Sequence, residues 1–347
     1  MDGKLDLDRR RFLGAAGGVA AAGALAAFPS LAAAGGNGGH GGGDDHGRWK
    51  RWLPADRIGI QLFTVRDLLA DNELDLPGTF EMLKDAGYAE VEIGGTYDGR
   101  TAAEFRALAE AAGLEPEGSH VPGGHNSWRT NLQGVLDDAE ALGLRYVGIA
   151  SPAQGTPATH DGYKALADEF NAFGQAARDR GFKFYFHNHP TDFVLDGGTP
   201  IYDTLLANTD PSLVWFELDI AWIEAGGQSA VDYVKANGNR FRLFHVKDIR
   251  WADDGPRVTP PNVAQPNRKF WLVDVGKGDI DFAHIFSALE DPGRHHYFVE
   301  HDDAPDDETV DATSPRPRNP AGSANTAWTS RKYLGELQLG KRRRRKH

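Results

Sequence analysis

Ionisable side chains stand where apolar runs stop, again and again along this chain. Glu92 sits in Ala89 to Ile93, and His120 near the end of Glu115 to Val121. His187-Asn188-His189 follows Lys183 to Phe186, and Glu217-Leu218-Asp219 ends a run that begins at Leu213. His245-Val246-Lys247-Asp248 ends one from Phe241, and Glu300-His301-Asp302 one from His296. Side chains of an extended strand alternate between faces, so His187 shares a face with His189, Glu217 with Asp219, and His245 with Lys247. A lone strand-end histidine is ordinarily a hydrogen-bonded surface residue, and Glu217 by itself an ion-pair partner. Four successive runs ending in nitrogen and oxygen donors instead describe a metal site. The chain has no cysteine, so thiolate ligands and disulfides are both excluded. A mixed His/Asp/Glu set with open positions suits one divalent ion, Mn²⁺, Mg²⁺, Co²⁺ or Zn²⁺.

The elements that must position these groups repeat one unit. A helix with an apolar face ends on glycine, and a short apolar strand follows. Gly87, Gly113, Gly143 and Gly181 mark four such junctions, and the helices before them carry apolar faces such as Phe80 with Leu83 and Phe170 with Phe173. The strands read as 58–63, 89–93, 115–121, 145–150, 183–187, 213–219, 241–248 and 296–301. Strands separated by helices of this length run parallel, and eight such units predict a closed (β/α)8 barrel. A doubly wound open sheet is the competitor, but it places a glycine-rich phosphate loop after its first strand, and none follows Ile58 to Phe63. Barrel enzymes carry their catalytic groups at the C-terminal ends of the strands, where the ionisable residues fall. Residues 249–278 are too long for an ordinary connection there and predict a segment that shapes the site.

Taken in order, Gly59 to Asp67, Phe186-His187-Asn188-His189-Pro190, Glu217 to Trp222, His245-Val246-Lys247-Asp248 and Val299-Glu300-His301-Asp302 carry a resemblance. Over residues 55–338, with a last helix expected around 329–337, the chain resembles the sugar phosphate isomerase/epimerase family of the xylose isomerase-like TIM barrels. The resemblance implies metal ligands on the fifth to eighth strands, here His187, Asp219, His245 and Glu300, with His189 as the alternative to His187. It also implies catalysis by enolising a small carbohydrate beside its carbonyl. Epimerases of this kind have a Glu on the fifth strand, where this chain has His. Glu300 then remains as the evident metal-bound base, with His189 and Lys247 as further catalytic candidates, and one-base isomerisation or elimination gains over epimerisation. Glu92, His120 and Glu217 are expected to hold substrate, and Trp222 to stack on a sugar face. A lyase or hydratase acting on 3-keto glycosides or inososes, a phosphodiesterase and a non-catalytic sugar-binding protein are the rival readings.

The chain ends are different in kind. Asp8-Arg9-Arg10-Arg11-Phe12-Leu13-Gly14, an Ala/Gly run and Ala32-Ala33-Ala34 read as a twin-arginine export leader over residues 1–34, giving an exported protein with no membrane insertion after cleavage. Residues 35–54 read as a Gly/His-rich linker and 339–347 as a basic tail. The formal charge is −12, while residues 1–34 carry +1 and Lys341 to Lys346 carry +6, so the rest holds −19. A body that acidic repels phosphate backbones, which argues against nucleic acid as a partner.

Overall fold

The computed structural model describes residues 51–70, 74–252, 270–306 and 319–340. Eight parallel strands close a barrel: β1 (Ile58–Gln61), β2 (Glu90–Gly94), β3 (Glu115–His120), β4 (Tyr146–Ile149), β5 (Lys183–His187), β6 (Val214–Asp219), β7 (Phe241–Val246) and β8 (His296–Val299). Neighbours in sequence are neighbours in space, and β8 closes the ring by pairing Phe298 with Gly59. The crossover helices are α1 (Leu76–Ala86), α2 (Ala102–Ala111), α3 (Leu132–Leu142), α4 (His160–Asp179), α5 (Tyr202–Asn208), α6 (Ala230–Asn237), α7 (Phe282–Ser287) and α8 (Gly322–Glu336). Two helices stop as read: Gly87 and Gly143 cap α1 and α3 at φ 96° and 70°, a left-handed geometry that a Cβ would strain.

The main core lies between the sheet and the helices. Inside the barrel Tyr146, Tyr185, Leu243 and Phe298 pack as a separate plug. Two small strand positions make room for it: a Cβ on Gly148 would meet the Tyr185 ring at 2.4 Å, and one on Gly59 would meet Phe298 at 2.5 Å.

Four boundaries differ from the sequence reading. The first strand ends at Gln61, because Leu62–Val65 winds into a 3-10 turn in which the Phe63 N–H bonds to the Gln61 side chain. The seventh strand ends at Val246, and Asp248–Trp251 begins a new antiparallel ribbon with Phe270–Val273, so the long insertion carries ordered structure of its own. The last helix begins at Gly322, ahead of the expected 329. Arg51–Trp52, placed in the linker by composition, pairs antiparallel with Gln338–Leu339.

Among the described residues no helix is long and apolar enough to cross a membrane. The expected leader, most of the linker, residues 253–269 and the run from Lys341 lie outside the described residues.

Candidate active site

The C-terminal ends of the strands surround a cleft of about 450 Å³, within the ~300–1,000 Å³ typical of small-molecule sites. Gln61 and Phe63 come from the end of β1, Gly94 and Gly95 from β2, and His120 from β3. His187 and His189 come from β5 and Trp222 from the helix after β6, while Lys247, Glu300 and Asp302 follow β7 and β8. The strand alternation that groups these residues in sequence also brings them to one place.

His187, Asp219, His245 and Glu300 each offer one ligand atom, and these atoms all lie within 4.8 Å of one another. All four residues are buried. Asp219 Oδ2 and His245 Nδ1 make no hydrogen bond, although Lys247 Nζ is 3.2 Å from the first and Glu300 Oε2 2.7 Å from the second. Leaving a buried polar atom without a hydrogen bond is costly, and a cation ligated by both would remove that cost. The donor set of two imidazoles and two carboxylates therefore fits a divalent ion.

Beneath this quartet a second polar layer fixes the imidazoles. Glu217 Oε2 lies 3.0 Å from His120 Nε2, 3.2 Å from His187 Nδ1 and 3.1 Å from His245 Nε2. Glu92 Oε2 lies 2.5 Å from His245 Nε2 and accepts from Gln61 at 2.7 Å, while Tyr185 donates to the other Glu92 oxygen. Carboxylates placed so hold a proton on the near nitrogen, so that a cation in the quartet would take the far nitrogen, His245 Nδ1 among them, as its ligand. Glu92 and Glu217 were expected to hold substrate. Both are fully buried behind histidines and do not line the cleft, so their position gives them imidazoles to orient instead. His120, Glu217, His187 and His245 also bring ligand atoms within 4.8 Å of one another, but there three imidazole nitrogens already converge on one carboxylate oxygen, Glu217 Oε2.

Electrostatics agree with a need for positive charge. Burial pushes Glu217 up to about 7, helped by the charge of Glu92, and pushes Asp219 up to about 6. Burial also opposes ionisation of Glu300, but the Lys247 ammonium and His245 outweigh it and hold Glu300 well below the usual carboxylate range. Burial opposes a charge on His245 as well, yet Glu217, Glu300 and Glu92 raise it well above the ordinary histidine range. The same carboxylates would favour any cation held against that ring.

Lys247 Nζ lies 2.8 Å from Glu300 Oε2 and 3.0 Å from Asp302 Oδ2, with the Trp222 ring 4.4 Å away. Trp222, expected to stack on sugar, thus already carries an ammonium against its ring. His189 is held near about 4 by burial first and then by Lys247. It is a neutral imidazole whose buried Nδ1 has no hydrogen-bond partner. Gln61, Phe63, Tyr185 and Asp302 join the site without an expected role. Asp302 was legible two residues beyond Glu300, on the same face; the others read as ordinary strand residues.

A closed barrel with its ionisable groups gathered at the C-terminal strand ends is the arrangement of (β/α)8 enzymes. The family model of the xylose isomerase-like TIM barrel matches residues 80–320, and the chain belongs to that family. An inosose dehydratase of Clostridium perfringens is 32% identical over 138 residues, 40% of this chain and 46% of that protein. One of Geobacillus thermodenitrificans is 26% identical over 149 residues, 41% and 47%. The chain thus spans less than half the length of these curated relatives. Among solved structures, a sugar phosphate isomerase/epimerase of Parabacteroides distasonis superposes with a TM-score of 0.60 at 24% identity, covering 81% of this chain and 94% of that one. IolI protein with a bound zinc atom gives 0.56 at 17% identity, covering 81% and 97%. At such identities the two structures speak for the fold.

Proposed function

We propose that this protein is a divalent-metal-dependent dehydratase that removes a proton beside the carbonyl of a keto carbohydrate and expels a neighbouring hydroxyl as water. The observation that carries this reading is the placement of the cleft's carboxylates. Among the described residues the two carboxylates that line it, Glu300 and Asp302, follow the same strand and share Lys247. Epimerisation between two carboxylates needs one on each face of the substrate, whereas elimination can run from one side. The inosose dehydratase relatives support the same reaction class.

His187, Asp219, His245 and Glu300 would hold the ion, which supplies Lewis acidity toward a carbonyl oxygen. The Glu300 carboxylate takes the proton beside the carbonyl, and the electron pair of that C–H bond becomes the enolate. As the enolate collapses to a carbon–carbon double bond, the C–O bond at the adjacent carbon breaks, and Lys247 protonates the departing hydroxyl to water. Lys247 is raised against burial by Asp219, Glu300 and Asp302. Once Glu300 is protonated, one of those charges is gone and the lysine releases its proton more readily. Glu300 Oε2 and Lys247 Nζ are 2.8 Å apart, so the proton on Glu300 can pass to the lysine and restore both groups. His189 Nδ1 is suited to accept a substrate hydroxyl.

The test is to incubate metal-loaded protein with keto sugars and inososes in D₂O and follow product mass and deuterium. Loss of one water is expected, with any deuterium beside the carbonyl found in the unreacted ketone. Exchange with conserved mass would replace dehydration by isomerisation, and neither exchange nor loss of water on any substrate would end the enolisation reading.

A further inference from the structure

We infer that the cleft takes an uncharged carbohydrate bearing a second ring, a glycoside rather than a sugar phosphate, and that Phe63 is the platform on which the second ring lies. This rests on the enolisation step of that reading and names its substrate class; beside the carbonyl of a 3-keto glycoside the C–O bond that can break is the glycosidic one, and Lys247 would protonate the departing alcohol as it would a hydroxyl.

Phe63 is 42% exposed, one of three large apolar side chains so placed among the described residues, and it lines the cleft. It is exposed yet held. The Arg66 guanidinium lies 3.9 Å from the ring centroid, and Arg66 also donates to the Phe63 and Asp302 carbonyls, each at 2.6 Å. The Phe63 N–H bonds to the Gln61 side chain at 3.2 Å. An aromatic ring fixed from behind and open in front is preorganised for stacking, because little side-chain freedom remains to be lost on binding. Next to it Gly94 and Gly95 put no side chain into the cleft; a Cβ on Gly94 would come 2.7 Å from Gln61 Oε1 and 3.4 Å from the Phe63 Cβ. The bare stretch, Phe63 and Glu300 line one and the same cleft. At ~30 Å³ per water, the 450 Å³ cleft has room for about fifteen waters, more than one pyranose displaces.

A phosphate asks for unpaired Arg or Lys side chains. Lys247 is the cation lining the cleft among the described residues, and it is paired with Asp219, Glu300 and Asp302. Arg66 is committed to a ring face and two carbonyls, and Asp302, which stands outside the quartet, would repel an anion.

The experiment compares 3-keto-glucose, its 6-phosphate and phenyl 3-keto-β-glucoside, by deuterium exchange and by calorimetric binding, in wild type, Phe63→Ala and Phe63→Tyr. The glycoside should be preferred over the free sugar in both readouts. That preference should fall by roughly 2- to 12-fold in Phe63→Ala, the range of one aromatic stacking contact, and return in Phe63→Tyr. The phosphate should gain nothing over the free sugar. A preferred phosphate, or a glycoside preference unchanged in Phe63→Ala, overturns the inference while leaving enolisation in place. A glycoside preference in binding that depends on Phe63, without exchange on any compound, upholds the platform and removes the reading beneath it.

Discussion

Glu300 is the residue in which ligand and base roles meet, and the two can be separated. Gln in its place keeps one ligating oxygen and loses the ability to take a proton. Metal content in Glu300→Gln should therefore stay near that of wild type, while turnover falls by about 10²- to 10⁴-fold, the range for loss of a general base. Elemental analysis and rate measured on one preparation decide it; a fully loaded variant with near wild-type turnover moves the base to His189 or Lys247. Alternation says which strand-end donors share a face, and the family resemblance implied the particular four, His187, Asp219, His245 and Glu300, with His189 as the alternative to His187. Depth was not legible. Glu92 and Glu217 sit at the same parity as the cleft residues, and only the plug of Tyr185, Leu243 and Phe298 below them and the histidines beside them show that they are covered. Phe63 was hidden for a related reason: an apolar residue closing an apolar strand reads as core until the 3-10 turn after Gln61 turns it outward.

At the scale of elements, the ribbon of Asp248–Trp251 and Phe270–Val273 depends on one carboxylate. Asp248 is buried and accepts backbone N–H bonds from Ile249, Gly276 and Gly278 at 2.9 Å and from Ile280 at 3.3 Å. The chain wraps it so closely that a Cβ on Gly278 would lie 2.2 Å from Oδ1. The ribbon brings Phe270 to 6.1 Å from Trp222, edge to face, so what holds the ribbon also supports a cleft wall. Asp248→Asn sets an amide N–H₂ against backbone donors, and each buried donor left unpaired costs ~1–3 kcal/mol. A loss of about 3 kcal/mol or more in denaturant unfolding is expected, with weaker substrate binding in what remains folded; wild-type stability in the Asn variant would refute the account. Four strands followed from helices that stop on glycine and the other four from their apolar runs, since a parallel strand buried on both faces has few other ways to be written. The ribbon did not, because its pairing is set by a carboxylate reaching residues about thirty positions away.

Seen as a whole molecule, the barrel has polar groups at both mouths. Where the strands begin, His296 Nδ1 lies 2.8 Å from Glu90 Oε2, while Nε2 lies 2.9 Å from Arg57 and 3.2 Å from Glu117. Arg145 lies 3.0 Å from Glu117. Although these three residues could group around an ion, two arginines already supply the positive charge, which makes the cluster a closure of the core. It should make stability depend on pH. Burial raises Glu90 to about 8 against the pull of Arg57, above the ~4.3 of an unfolded chain. The folded state then holds this proton more tightly. The stability so gained is complete below the unfolded value and is lost as pH rises through 8. Between pH 6 and 8.5 the melting temperature of wild type should fall more than that of Glu90→Gln, which stays neutral; equal declines would count against a protonated Glu90. The pairing of Arg51–Trp52 with Gln338–Leu339 bears on handling the protein. Both segments adjoin elements that begin or end at this mouth, β1 at Ile58 and α8 at Glu336, and paired strands stand only ~5 Å apart. A short peptide could join residue 339 to residue 51, so that new ends opened in a crossover at this mouth would give a circular permutant with its cleft untouched. A linker attached directly at residue 51 or at residue 339 would therefore start from the side away from the cleft, which makes these two positions the ones at which to tether the barrel to a surface with its cleft facing the medium.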